Sequence, residues 1–335
     1  MSVQRSSNPL WLSGGLCCVL ISGIVMAAIG ASTFQLTVSD LITSLFSQTQ
    51  TLASQLIYTI RLPRILVAAA AGASLALAGA LMQGITRNPL ASPALFGINA
   101  GAACLLVMAQ TGIVAVLADW PLLLVTAMGA AGAGAIVMLL GGGLQGRIHP
   151  VRVVLAGIAV TALLTALTRT LLILDEQAQA VLDWLSGSLL DTDWSHWQQL
   201  WPWLLGGFVA SLALAQSLNL LALGEEMAAG LGISPLALRI KASIVVIVLA
   251  AATVAVTGPI AFVGLLVPHL ARKLVGHDHR VLLPVVALLG ACLMVWADLL
   301  SRLLAFPAET PVGLVTALIG APCFLWLTSR RREVA

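Results

Sequence analysis

The sequence predicts an all-α, polytopic membrane protein of about ten transmembrane helices. Three observations lead there. Of 335 residues, 60% are hydrophobic and only 9% charged, with a mean hydropathy of +1.04, so a water-exposed surface cannot be assembled and a soluble globule is excluded. Uncharged apolar stretches long enough to cross a bilayer recur along the whole chain, and one span with its connection takes roughly 30–35 residues. Gly (30 residues) and Ala run through these stretches while Tyr occurs once, which suits helices packed through small residues rather than the short alternating segments of a membrane barrel.

The first span, 10–32, follows Arg5 and ends in Ala27, Ala28, Gly30 and Ala31. Those small residues imitate a signal-peptidase site, but the stretch is too long for a signal core and is read as an uncleaved helix. The second, 62–84, opens at Arg61-Leu62-Pro63-Arg64 and carries Ala68, Gly72, Ala76 and Ala80 at i, i+4 spacing, a stripe for close packing. Spans at 94–113, 120–141, 152–173 and 197–217 follow. One uncharged run from Ala242 to Ala271 is too long for a single crossing. Dividing it at Gly258-Pro259, a helix-ending dipeptide, gives spans 236–257 and 259–274. The last two are 281–302 and 312–328, and no internal repeat stands out. The whole chain reads as a single transmembrane domain, 1–335.

An even number of spans puts both termini on one side, and the Lys/Arg bias makes that side the cytoplasm. Twelve of the sixteen basic residues then fall inside: Arg5, Arg87, Arg147, Arg152, Arg239, Lys241, Arg272, Lys273, Arg280 and Arg330 to Arg332. Only Arg61, Arg64, Arg169 and Arg302 lie at outer ends, with Asp40, Asp119, Asp175, Glu176, Asp183, Asp191, Asp193 and Glu309.

Enzyme chemistry finds little support. A phosphate-binding loop needs Gly immediately before its Lys, but Lys241 and Lys273 follow Ile240 and Arg272, and neither a zinc-protease helix nor a serine-nucleophile elbow occurs. The five cysteines lie in apolar runs without metal-ligand or disulfide spacing, and His277-Asp278-His279 reads as a solvated turn; no cofactor or metal is expected.

Three constellations are candidates for function. The connection 218–238 is long and only moderately polar: Gly224 breaks the chain, Glu225 and Glu226 suit a helix N-terminus, Ala228 and Ala229 leave it flat, and Gly232 can cap it. Ser234-Pro235 then starts the seventh span. A membrane-surface helix would carry a basic polar face, so this segment is read as a docking helix for a cytoplasmic partner. Arg61, Arg64 and Arg302 violate the positive-inside bias and are either docking points for an acidic partner or locally paired, since Asp298 and Arg302 are i, i+4 and Glu309 is near in sequence. Thr161, Thr165, Thr168 and Arg169 form a polar stripe on the fifth span that either lines a path or bonds to a neighbouring helix.

Ordered fragments along nearly the whole chain after the first span resemble the FecCD family of ABC importer permeases for ferric siderophores, ferric citrate, haem and vitamin B12. They are RLPR (Arg61 to Arg64), GASLALAGALMQ (Gly72 to Gln83), RNPLASP (Arg87 to Pro93) and GINAGA (Gly97 to Ala102), then LAGIAV (Leu155 to Val160) and LALGEEMAAGLGI (Leu221 to Ile233). GPIAFVGLLVPHLAR (Gly258 to Arg272), GHDHRVLLP (Gly276 to Pro284), ADLLSR (Ala297 to Arg302), ETPVG (Glu309 to Gly313) and ALIGAPCFLWL (Ala317 to Leu327) complete the series. The resemblance implies a BtuC-like fold and an inner-membrane permease that imports an iron chelate, most naturally a ferric siderophore or ferric citrate, with haem or vitamin B12 as alternatives. Its implied partners are a second, identical or paralogous permease, two cytoplasmic ABC ATPase subunits and a periplasmic binding protein, with no nucleic acid. Glu225, Glu226, Ala228 and Gly232 then belong to an ATPase-coupling segment, and Arg61, Arg64 and Arg302 to binding-protein docking. The fifth, eighth and tenth spans would contribute to the path, with a constriction near His149-Pro150. The rival from another class is an ion-coupled secondary transporter, which would show midplane acids and broken helices related by a repeat.

Overall fold

The computed structural model describes residues 9–30, 37–46, 51–142, 150–174, 184–306 and 308–329, and no strand occurs among them. The helices are α1 (Pro9–Ile29), α2 (Val38–Phe46), α3 (Leu52–Gln55), α4 (Leu62–Thr86), α5 (Ile98–Gln110), α6 (Leu122–Leu140) and α7 (Pro150–Leu174), followed by α8 (Trp194–Ala222), α9 (Glu225–Gly230), α10 (Pro235–Thr257), α11 (Val263–Val275), α12 (His279–Leu304) and α13 (Val312–Ser329). Each of the ten expected spans has its helix. Among the described residues six helical stretches are long and apolar enough to cross a membrane; α1, α5 and α13 are shorter apolar helices by the same measure.

α4 is the axis of the bundle. Almost every residue from Pro63 to Gln83 is buried, and α8, α10, α11 and α12 all pack on it. Small residues permit this: a Cβ on Gly72 would run into the carbonyl oxygen of Gly290 on α12, and one on Gly79 into that of Gly264 on α11. The helix also begins earlier than the sequence suggests. Arg61-Leu62-Pro63-Arg64 reads as a boundary, yet a π-helical turn, Leu56–Arg61, joins α3 to α4 in one stretch, Leu52–Thr86. The π turn lies just before Pro63, which has no N–H to donate back into it, and the Tyr58 carbonyl in that turn accepts from Trp194 Nε1 at 2.9 Å.

Two spans are half-length. α5 and α11 have 13 residues each, about 20 Å at 1.5 Å per residue, against a hydrocarbon core of about 30 Å. Both start beside the middle of α4: Gly264 lies against the Leu75 carbonyl and against Pro93, whose short 3₁₀ turn, Pro93–Phe96, precedes α5. The break between α10 and α11 falls at Gly258 as expected, with φ +69°, but the next helix starts only at Val263, after Phe262 in a left-handed conformation (φ +66°).

An internal repeat that the sequence does not show is present in the architecture. A buried long helix, a 13-residue half-helix and two further spans occur as α4-α5-α6-α7 and again as α10-α11-α12-α13. Contacts repeat too: α4 packs on α12 as α10 packs on α6, and each half-helix packs on the two spans that follow it. Helix α2, absent from the sequence reading, is an amphipathic segment capped reciprocally by Thr37 and Asp40, whose Oδ2 accepts from the Thr37 N–H at 2.8 Å.

Candidate functional site

At the end of the bundle where α4 begins and α12 ends, Asp298 is a hub with no exposure. Its Oδ1 accepts from Arg64 Nε at 2.7 Å and its Oδ2 pairs with Arg302 Nη2 at 3.0 Å. Arg64 Nη1 also donates to Glu309 Oε2 at 2.7 Å, while Arg302 Nη1 donates to the Ala27 carbonyl at 2.9 Å. Arg61 Nη1 donates to the carbonyls of Ala27, Ala28 and Gly30. Helix α1 thus ends on two guanidiniums that satisfy the carbonyls its last turn leaves open. Arg61, Arg64 and Arg302 are 7%, 6% and 4% exposed, so in this conformation they are turned inward. Of the two sequence readings, docking point or local pairing, the geometry displays the local contacts: Arg64 and Arg302 pair with Asp298, Arg64 also with Glu309, and Arg61 with the α1 carbonyls.

At the opposite, Lys/Arg-rich end, α9 stands out from the bundle. Gly224 supplies φ +128° before it and Gly232 φ +85° after it. Ser234 Oγ then accepts from the Ala237 N–H, starting α10. Only part of the expected surface faces outward. Glu225 Oε1 accepts from Arg239 Nη2 at 2.7 Å, and Arg239, buried on α10, also donates to the Ile85 carbonyl near the end of α4 at 3.4 Å. Ala228 is fully buried beneath the helix, where its carbonyl accepts from the Ile233 N–H. Glu226, Ala229 and Gly232 are exposed, with Leu223, Met227 and Leu231 about 60% exposed beside them. Sequence reasoning identified the segment but missed Arg239, the residue that clamps it. Its signal was an arginine, with Lys241 two residues further on, about one helical turn inside an otherwise apolar span.

The threonine stripe of α7 faces a neighbour. Thr168 is buried and donates to the Leu164 carbonyl at 2.7 Å, and Thr161 lies beside Gly97 at the start of α5. Thr165 is half-buried and Arg169 exposed. The rest of α7 is an open apolar face, including Leu155, Ile158, Leu163 and Ile173, and α13 has a similar one with Leu314, Leu318 and Leu325. His149 lies outside the described residues, as do Arg5, Arg147, Asp175, Glu176, Asp183 and Arg330 to Arg332.

Between the starts of α5 and α11 is a cleft of about 220 Å³, walled by Ser92, Pro93, Asn99, Ile260, Phe262 and Leu265 among others. Two helix N-termini meet there near mid-bundle, with Ser92 and Asn99 as its polar side chains. Among the described residues no group of three or more His, Cys, Asp or Glu could hold a metal ion.

A bundle of spans around a buried axis, with half-helices meeting at its middle and a clamped helix standing off one face, defines a membrane permease. Residues 18–330 match the FecCD transport family. The chain is 40% identical over 332 residues to the Fe(3+)-citrate import system permease protein YfmD of Bacillus subtilis, covering 99% of this chain and 98% of the relative. It is 45% identical over 284 residues to the Fe(3+) dicitrate transport system permease protein FecC of Escherichia coli, covering 84% and 86%. A solved chain described as an inward-facing conformation of a metal-chelate type ABC transporter superposes with a TM-score of 0.82 at 32% identity, covering 96% of this chain and 99% of that one. The protein belongs to the FecCD transport family, and its fold is that of ABC importer permeases.

Proposed function

We propose that this chain is the membrane subunit of an ABC importer for an iron chelate, ferric citrate or a ferric siderophore, carried from periplasm to cytoplasm by alternating access. Relatives aligned over 99% and 84% of the chain are named for ferric citrate import, which supports that cargo class. The observation that carries the mechanism is α9: a short helix held to the core by the Glu225–Arg239 pair while Glu226, Met227, Ala229, Leu231 and Gly232 point away from the bundle. A separate ATPase seated on that face can push or pull it, and Arg239 transmits the movement to the end of α4. The Lys/Arg-rich end that bears α9 is assigned to the cytoplasm, with both termini there.

The loaded binding protein docks on the opposite face, whose shape the Asp298 network fixes without contributing its arginines. A second permease, identical or paralogous, covers the open apolar faces, and the chelate passes between weakly interacting walls. The half-helices meet the expectation set for an ion-coupled secondary transporter, but the buried Asp298 is charge-paired with two arginines, which disfavours a cation at that carboxylate. Transport in vesicles decides. With binding protein and ATPase supplied, uptake across a panel of ferric citrate, hydroxamates, catecholates, haem and cobalamin should require ATP hydrolysis and favour an iron chelate. Uptake driven by an ion gradient without ATPase would overturn the reading.

A further inference from the structure

We propose that the Lys/Arg-rich face carries a pocket for a small phosphate-class polyanion from the cytosol. The cavity, about 470 Å³, lies where the ends of α4, α8, α11 and α12 come together. Its wall holds Arg87 just past α4, Arg272 and Lys273 in the last turn of α11, and the imidazoles of His269, His277 and His279, with no carboxylate among the lining residues. Cations in a last helical turn complement the helix dipole, and the positive-inside bias adds others. Neither effect makes cations and imidazoles from separate segments converge on one concavity. Asp278, between two of the lining histidines, is committed elsewhere: its Oδ1 accepts from Asn219 Nδ2 at 2.6 Å and from the Arg280 N–H at 3.0 Å.

His279 supplies an independent observation. Because Asn219 Nδ2 is spent on Asp278, its carbonyl oxygen faces His279, where it accepts from the main-chain N–H at 2.9 Å and from Nδ1 at 2.8 Å. That network assigns the ring proton to Nδ1. Nε2 is left buried without a partner, on a residue only 7% exposed, close enough to Gly84 that a Cβ there would sit 3.2 Å away. A hydrogen phosphate group suits such a wall, because its charged oxygens pair with Arg87 and Lys273 while its hydroxyl is a donor of the kind a neutral ring nitrogen lacks. The pocket opens at the end of the central helix α4 rather than at the rim of the bundle, which favours a soluble anion over a lipid headgroup. Ala222 lines it, just before the docking helix α9, so a bound anion would tie four helix ends together under that helix.

The test uses the full-length chain in phosphatidylcholine nanodiscs, titrated calorimetrically with pyrophosphate at low salt. Saturable binding is expected, weakened by added salt and weakened about tenfold by Arg87→Gln with Lys273→Gln, both exposed positions. Lys273→Gln alone serves if the pair folds poorly by circular dichroism and gel filtration, with a smaller loss in the same direction. Repeating the titration with phosphatidylglycerol in the disc separates the sources: unchanged affinity assigns the pocket to a soluble anion, and competitive loss overturns that source in favour of a phosphate headgroup. No saturable binding up to millimolar pyrophosphate, or wild-type affinity in the folded variants, overturns the site itself.

Discussion

Truncating Asp298 to Ala tests whether Arg64 and Arg302 are structural. The side chain makes two charge-assisted contacts, 2.7 Å to Arg64 and 3.0 Å to Arg302, with all three groups buried. The Arg64 contact is a charge-assisted hydrogen bond, worth about 1.5–3 kcal/mol, and the Arg302 contact is a buried ion pair that adds to it. Breaking a buried pair costs about 3–5 kcal/mol, and because Arg64 keeps Glu309 and Arg302 keeps the Ala27 carbonyl after truncation, the expected loss is at the lower end, about 3–4 kcal/mol. Reversible unfolding of the purified chain in mixed detergent micelles measures it. The loss should be nearly independent of salt, because the pairs are buried, and Asp298→Leu combined with Arg302→Met should recover part of it by removing charge from both sides. A loss under about 1 kcal/mol, or one that disappears in high salt, would place these arginines among surface pairs and refute the buried-network account.

At the other face, Glu226→Arg should leave the permease folded but abolish stimulation of a partner ATPase by loaded binding protein; normal stimulation would remove α9 from coupling. Glu225→Arg should instead loosen α9 by opposing Arg239, seen as faster proteolysis around Gly224, and an unchanged cleavage pattern would count against the clamp. In the bundle axis, Gly79→Ala forces a methyl into the Gly264 carbonyl and should cost about 1–3 kcal/mol of stability; wild-type unfolding would mean that α4 and α11 separate easily. Asp193 caps α8, and its carboxyl is held down at about 2, chiefly by the Ser195 hydroxyl and also by the His196 N–H and ring. Its folded value lies below its unfolded one, so the cap's contribution is complete above about pH 4 and lost as pH falls towards 2. Stability measured across pH 2–5 should therefore slope less in Asp193→Ala than in the wild type, and equal slopes would rule the cap out.

The spans were legible because apolar length between charges and prolines is a strong signal in a bilayer, and the Gly258-Pro259 break was legible because that dipeptide ends helices. The short helix α9 was visible through Gly224, Glu225 and Gly232, whose conformational roles are local. The pairing of Glu225 was not, since it depends on Arg239, fourteen residues away in sequence. The arginine network shows the same limit over a longer range. Asp298 and Arg302 are visibly i, i+4, but Arg64 meets Asp298 across 234 residues, and composition cannot tell a charge buried by such a partner from one offered to another protein. The repeat escaped notice because it is a repeat of helix lengths and contacts, which very different apolar side chains satisfy equally well.

The clasp around the end of α1 has a consequence for biogenesis. During synthesis α1 enters the bilayer before α4 and α12, yet the groups that receive its final carbonyls arrive just before α4 and, 275 residues after Ala27, on α12. Asp298 likewise appears only after Arg64 has long been in place. Helices that insert early therefore wait with open polar ends until the ninth crossing is complete, and a chain stalled before that point presents an unpaired arginine for quality-control machinery to find.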